Sequence, residues 1–256
     1  MKIRKITKMK SGKYKIEFDN NTKLVTYDNI ILENNILFKK ELDDELYNKL
    51  YNETLDYNLY SKVLKYVLIK IRSLKEIRKY MDKLQINEEE QFKIISKLET
   101  NNFINDSKFA EAFIADKINL SNIGPNKIKK ELLEHNIDEL TIDEYLSKYD
   151  NDVFEEKIIK LIDKKSMNPK NSNYVLKNKI TNYLIDLGYD LNMIKENIDK
   201  VNFNSKIALE KDYNKLFKKL ALKFNGDELI KQIKSKLYQK GYSLDEINQF
   251  LDEVTN

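Results

Sequence analysis

The spacing of apolar residues changes character once along the chain. Near the start it alternates: Tyr14, Ile16 and Phe18 are separated by Lys15 and Glu17, the period-two signature of a strand with one buried face. Asp19-Asn20-Asn21-Thr22 is a turn cluster, and Lys23 to Tyr27 resumes a β-favouring run. The pattern predicts a hairpin, with Ile3 to Met9 available as a third strand. A short helical stretch from Asp28 to Asn35 and a charged helix from about Asp43 follow. From about Tyr57 onward the period is helical and stays so. Tyr60, Val63, Leu64, Val67, Leu68 and Ile71 fall on one stripe, the arrangement of an amphipathic helix.

The helical region repeats itself. Ile77-Arg78-Lys79-Tyr80-Met81, Ile128-Lys129-Lys130-Glu131-Leu132, Ile180-Thr181-Asn182-Tyr183-Leu184 and Ile233-Lys234-Ser235-Lys236-Leu237 align at spacings of 51, 52 and 53 residues. The same register carries Ile86, Ile137, Tyr189 and Tyr242, then Ile95, Leu146, Ile198 and Leu251, then Leu98, Tyr149, Val201 and Val254. One column is polar, Asn87, Asp138, Asp190 and Ser243, all residues that cap helices. Each copy has room for three helices of about 11–12 residues. Ser73-Leu74-Lys75-Glu76 reads as a capping box opening the middle helix of the first copy, with Ser73 and Glu76 as its two members. Gly124-Pro125 opens the middle helix of the second, with proline where its missing N–H costs nothing. Asp106 is expected to cap the preceding helix, with Phe109 and Phe113 facing inward.

The predicted fold is mainly α. About four tandem three-helix repeats form an elongated curved solenoid behind a small N-terminal module that contains a β-hairpin. The expected divisions are 1–55 for that module, then trios over 56–104, 105–150, 151–204 and 205–256. The repeat is longer than tetratricopeptide, ankyrin or HEAT units, so those architectures are set aside.

Composition narrows the chemistry more than it suggests any. Among 256 residues there is no cysteine, one histidine, five glycines and two prolines. That removes thiolate metal sites, disulfide frameworks and cysteine nucleophiles, and no phosphate-binding glycine motif is present. His135 ends a predicted helix with no partner constellation. It reads as a last-turn histidine complementing the helix dipole. Asp150-Asn151-Asp152 begins like a calcium loop but lacks the glycine and the later glutamate that such a loop needs. No catalytic residues, no metal site and no cofactor are expected. No apolar stretch approaches a membrane span, and the basic start lacks the apolar core of a signal peptide. A cytoplasmic monomer, not an enzyme, is the expectation.

Charge says more. The 46 basic and 42 acidic residues nearly balance, but from Lys62 to Lys83 eight basic residues face only Glu76 and Asp82. On the middle helix of the first copy, Lys75, Arg78 and Lys79 lie on the side away from Ile77 and Met81. The register places Lys129 and Lys234 where Arg78 stands, and Thr181 interrupts the column. Such a cationic stripe suits a phosphate backbone or an acidic groove. Only three of the basic residues are arginine. Two of these, Arg72 and Arg78, lie in this stretch, and arginine makes bidentate contacts that lysine cannot.

Three phrases in order carry a family resemblance. They are Ile71-Arg72-Ser73-Leu74-Lys75-Glu76-Ile77, then Asn102 to Ala110 with Phe113-Ile114, then Gly124-Pro125-Asn126-Lys127-Ile128-Lys129-Lys130-Glu131-Leu132. Together they resemble the RecX family of bacterial recombination regulators, specifically over roughly 57–146 and in phase to the end. Asp116-Lys117 and His135-Asn136 depart from the family pattern. The resemblance implies a non-enzymatic modulator of the RecA recombinase, acting in DNA repair, homologous recombination and the SOS response. It would lie in the groove of a RecA–single-stranded DNA filament and inhibit recombinase and coprotease activity. The implied contact residues are Arg72, Lys75, Arg78, Lys127, Lys129 and Lys130, with Lys79 and Lys234 added from the charge stripe. Ser73, Glu76, Asp106, Phe109, Gly124 and Pro125 would maintain the shape of the units. The alternatives are a general DNA-binding repeat with no recombinase partner and a peptide-binding scaffold.

Overall fold

The computed structural model describes residues 1–167 and 169–255. The chain falls into two compact units, Met1–Phe109 and Ala110–Asn256.

The first unit opens with an antiparallel sheet of order β1-β2-β3, formed by β1 (Ile3–Lys8), β2 (Tyr14–Phe18) and β3 (Lys23–Thr26). The alternation resolves as its period requires. Ile16, Phe18, Leu24 and Thr26 are buried, while Lys15 and Glu17 point outward and pair at 2.7 Å. Helix α1 (Asp28–Glu33) and a 3₁₀ turn (Ile36–Phe38) lead into α2 (Asp44–Leu68). Asp43 caps α2 by accepting from the Leu46 N–H at 2.7 Å.

At 25 residues, α2 runs straight through the expected boundary between 55 and 56. No glycine or proline interrupts it, and its two halves serve different cores. Leu46, Tyr47 and Leu50 pack with the sheet, whereas Tyr60, Val63 and Val67 join Ile77, Met81 and Leu98. Tyr57 touches both clusters. Thr54, buried between the halves, donates to the Leu50 carbonyl at 2.6 Å and so accepts from the Thr26 hydroxyl, also at 2.6 Å. The β-module and the first trio are therefore joined by a shared helix rather than a linker.

With α2, the helices α3 (Leu74–Lys83) and α4 (Glu88–Thr100) make the first trio. The second is α5 (Asp106–Leu120), α6 (Pro125–Glu134) and α7 (Glu139–Leu146). The third is α8 (Asn151–Ser166), α9 (Asn173–Asp186) and α10 (Leu191–Ile198). The fourth is α11 (Lys206–Leu220), α12 (Gly226–Gln239) and α13 (Leu244–Thr255).

The repeat columns have physical counterparts. Ile77, Ile128, Ile180 and Ile233 are fully buried, and so are Met81, Leu132, Leu184 and Leu237. The polar column caps the third helix of every trio. Asn87 accepts from Glu90, Asp138 from Thr141, Asp190 from Met193 and Ser243 from Glu246. The last apolar column fades: Leu98 is buried, but Val254 is 50% exposed. Its place is taken by Gln91, Ile142, Ile194 and Ile247, all buried. Gln91 hid that column from the sequence. Its amide is satisfied inside the core by Asp82 and the Ile86 carbonyl, at 2.8 and 2.9 Å.

Another unforeseen column ends the middle helices. Gln85, Asn136, Gly188 and Gly241 all have positive φ. Each is followed by an N–H that reaches back to Met81, Leu132, Leu184 or Leu237, which is a Schellman close. Among the described residues, no helix is long and apolar enough to cross a membrane.

Candidate interaction surface

Helix α3 presents the cationic face. Ser73 accepts from the Glu76 N–H and Glu76 accepts from the Ser73 N–H, each at 3.2 Å, so the helix begins with a complete capping box. Ile77 and Met81 bury one side. Helical geometry then turns Lys75, Arg78, Lys79 and Lys83 outward, and all four are exposed. Among the described residues, nothing pairs with Arg78 or Lys79.

Arg72 is not part of that face. Its side chain is only 11% exposed. The guanidinium lies 3.6 Å from the centroid of the Tyr66 ring, its Nε donates to the Tyr66 carbonyl at 2.9 Å, and Nη1 stands 3.9 Å from Glu76. Tyr80 stacks on the same Tyr66 ring at 3.9 Å with an 8° tilt. Two groups that close cannot share one face, so Tyr66 is covered on both. Arg72 thus fastens the α2–α3 connection by cation–π contact, and its guanidinium, placed among the expected contact residues, is engaged inside the unit.

The second-unit positions differ from α3. Lys129 corresponds to Arg78 but is clamped on α7, at 2.6 Å from Glu139 and 2.9 Å from Asp143. Its pKa is raised by the hydrogen bonds to Asp143 and Glu139. Lys234 donates to Asn248 at 2.8 Å, the same reach across fourteen residues. The residue fourteen beyond Arg78 is Phe92, an exposed ring, so Arg78 has no equivalent anchor. Lys130 is exposed and Lys127 half-buried. The register aligned these cations, but the third helix of each trio decides which of them stays available.

The shape-maintaining residues do more than cap. Asn105, not Asp106, caps α5 by accepting from the Lys108 N–H at 2.9 Å. Asp106 instead accepts from the Leu74 N–H at 2.8 Å, satisfying a free donor at the start of α3. Phe109 is buried. Phe113 is half-buried, its ring 5.7 Å from that of His135 at the end of α6.

Gly124 and Pro125 lie at a joint within the second unit. The Gly124 N–H donates to the Leu187 carbonyl at 2.7 Å and the Asn126 N–H to the Gly188 carbonyl at 3.0 Å. Helix starts lack acceptors and helix ends lack donors. Here the unpaired N–H groups at the start of α6 meet the unpaired carbonyls at the end of α9, with their dipoles in series. Lys157 reinforces the joint by donating to the Ile118 and Ser121 carbonyls. At the next joint a side chain makes the link from the start of α9 to the end of α12, the Ser172 hydroxyl donating to the Lys240 carbonyl at 2.9 Å.

Tyr189 seals the first of these joints. Its hydroxyl donates to the Asn122 carbonyl at 3.0 Å, and burial pushes its pKa up to about 12, against about 10 in an unfolded chain. Between those values the folded state holds more protons than the unfolded one. The stabilisation is therefore intact below pH 10 and is lost as pH rises toward 12. Tyr189→Phe is expected to flatten the alkaline fall of the urea midpoint over that window. Tyr242, also pushed up by burial and by Asp212 beside it, would account for a residual slope. An unaltered fall in the variant would refute this role for Tyr189.

The chain is similar to known proteins over most of its length. The family model described as "RecX, second three-helix domain" matches residues 105–146. A regulatory protein RecX of Oceanobacillus iheyensis is 30% identical over 230 residues, covering 88% of this chain and 85% of that protein. A regulatory protein RecX of Streptococcus pyogenes is 32% identical over 257 aligned positions, covering 97% of each. A crystal structure of a regulatory protein RecX shares the fold at a TM-score of 0.65 and 24% identity, over 77% of this chain and 98% of that one. RecX from Lactobacillus salivarius aligns at a TM-score of 0.53 and 28% identity, over 57% and 95%. With relatives at 30 and 32% identity covering 88 and 97% of the chain and a shared fold, the chain belongs to the RecX family of regulatory proteins.

Proposed function

We propose that this RecX-family protein binds RecA–single-stranded DNA filaments and inhibits recombinase and coprotease activity by occupying the filament groove. It would act without catalysis, as a cytoplasmic monomer. The observation that carries the reading is the α3 face, where Arg78 and Lys79 project with no partner among the described residues and remain available to phosphate or carboxylate groups. Lys75 and Lys83 extend that face, and Lys127 and Lys130 are the second-unit candidates. Lys129 and Lys234 contribute less because their ammonium groups are already held by neighbours. Several weakly binding modules on one chain raise overall affinity through effective concentration, which suits a repeat protein on a repeating filament.

The test is the DNA-dependent ATPase of RecA, followed together with filament length across a molar excess of this protein. Suppression of both is the expected result, and no change in either would end the reading. Salt separates it from sequence-blind DNA binding. Affinity that falls steeply and linearly with log salt on DNA alone, with no added effect of RecA, would favour a plain nucleic-acid-binding repeat.

A further inference from the structure

We infer that a pocket in the first unit, walled by α1, α2 and α4, takes the guanidinium of an arginine on a partner protein. This goes beyond the filament reading and uses none of the α3 residues. The pocket has a volume of about 250 Å³, room for one side chain rather than a peptide. Four carboxylates surround it from three helices: Glu33, Glu53, Asp56 and Glu90. Two lysines also line it, Lys93 and Lys97, so the lining carries a surplus of two negative charges in a chain whose net charge is +4. Glu53 is engaged by Asn34 at 2.8 Å, and Lys93 is taken by Glu89 at 2.6 Å. Among the described residues, no direct ion pair or hydrogen bond engages the carboxylates of Glu33, Asp56 or Glu90; Lys93 is attracted by Asp56 and Glu90 only through space.

Two further features point to a flat cation. Tyr57 and Tyr60 line the pocket, and their rings already attract one charge: Lys97 Nζ lies 5.3 and 4.6 Å from the two centroids. Asn29 also lines the pocket, and its Oδ1 is buried with no donor among the described residues. A buried acceptor left unbonded is costly. Acceptors spread over three helices beside aromatic faces match a guanidinium, which is planar and carries five donors. An ammonium has three donors and no plane to stack. Glu33 and Asp56 are exposed, so a protruding arginine can reach the site from solvent.

The full chain, ¹⁵N-labelled, would be titrated with N-acetyl-arginine amide, its neutral isostere N-acetyl-citrulline amide, and N-acetyl-lysine amide. The expected result is saturable shifts at the Asn29 side-chain amide and around Asp56 and Glu90. Arginine should bind at least about tenfold tighter than either control, the scale of one charge-assisted hydrogen bond. Asp56→Asn with Glu90→Gln should weaken the arginine probe by a similar factor while leaving far-UV circular dichroism unchanged. Should that pair fail to fold, the three-probe comparison on the unaltered chain decides alone. Equal binding of citrulline or lysine, shifts that never saturate, or shifts away from the pocket would overturn the proposal. No RecA enters the experiment, so it succeeds or fails separately from the filament reading.

Discussion

Gly188→Ala is expected to lower the stability of the second unit by about 3–5 kcal/mol, the range of strongly disruptive single substitutions. Two costs combine. The backbone at Gly188 sits at φ +89°, where an L side chain is strained. A Cβ there would also stand 2.4 Å from the Lys127 Cβ and 2.5 Å from its backbone nitrogen. Neither is the free end of a flexible chain, so α6 must move off the end of α9. That displacement breaks the bonds from Gly124 and Asn126 and leaves helix-terminal groups unpaired. Urea unfolding read by circular dichroism should show the lower midpoint, and amide exchange should quicken in α6 and α9 first. Gly226→Ala is the matched control. Gly226 also has positive φ, at +55°, but nothing lies within 4 Å of the added carbon, so its cost is about 1 kcal/mol. Equal midpoints for Gly188→Ala and the unaltered protein would remove the joint from the account of stability.

The second large effect concerns binding. Arg78→Glu with Lys79→Glu should weaken association with RecA–single-stranded DNA filaments by about 30- to 100-fold, on the order of 2–3 kcal/mol for reversal of two interface charges. Both side chains are exposed and unpaired among the described residues, so folding should be unaffected and the loss should appear in co-sedimentation and in RecA ATPase inhibition together. Lys129→Gln supplies the contrast. It removes a cation already neutralised by Glu139 and Asp143, so it should cost a fraction of that affinity. If Lys129→Gln weakened binding as much as the α3 pair, the interaction surface would have to be relocated to the second unit.

That contrast marks where local pattern stops being informative. Arg78 and Lys129 occupy the same repeat position and look equivalent along the chain. They differ because the facing residue on the third helix is Phe92 in one trio and Asp143 in the other. Arg72 differs from Arg78 for a similar reason. Its stacking partner Tyr66 lies across the α2–α3 turn, and no periodicity predicts which face of a ring a neighbouring guanidinium will cover. The N–H that Asp106 satisfies belongs to Leu74, 32 residues away, whereas the cap it was expected to provide comes from Asn105 one position earlier. Helix α2 crosses the expected division at 55/56, and a stripe that rotates from one core to another leaves no break in a helical pattern to mark the change.

The chain by itself determined the elements and their repetition. Side-chain periodicity, caps and turn residues act over three or four positions, so the hairpin, the helix starts at Ser73, Gly124, Asn87, Asp138, Asp190 and Ser243, and the buried isoleucine column could all be inferred from local spacing. Only the tertiary structure decided which cations remain free, how α6 and α9 complete each other's ends, and that α1, α2 and α4 enclose an acidic, tyrosine-lined pocket. Those outcomes depend on partners tens of residues apart, and their energies come from desolvation and pairing at a distance that no short window of sequence contains.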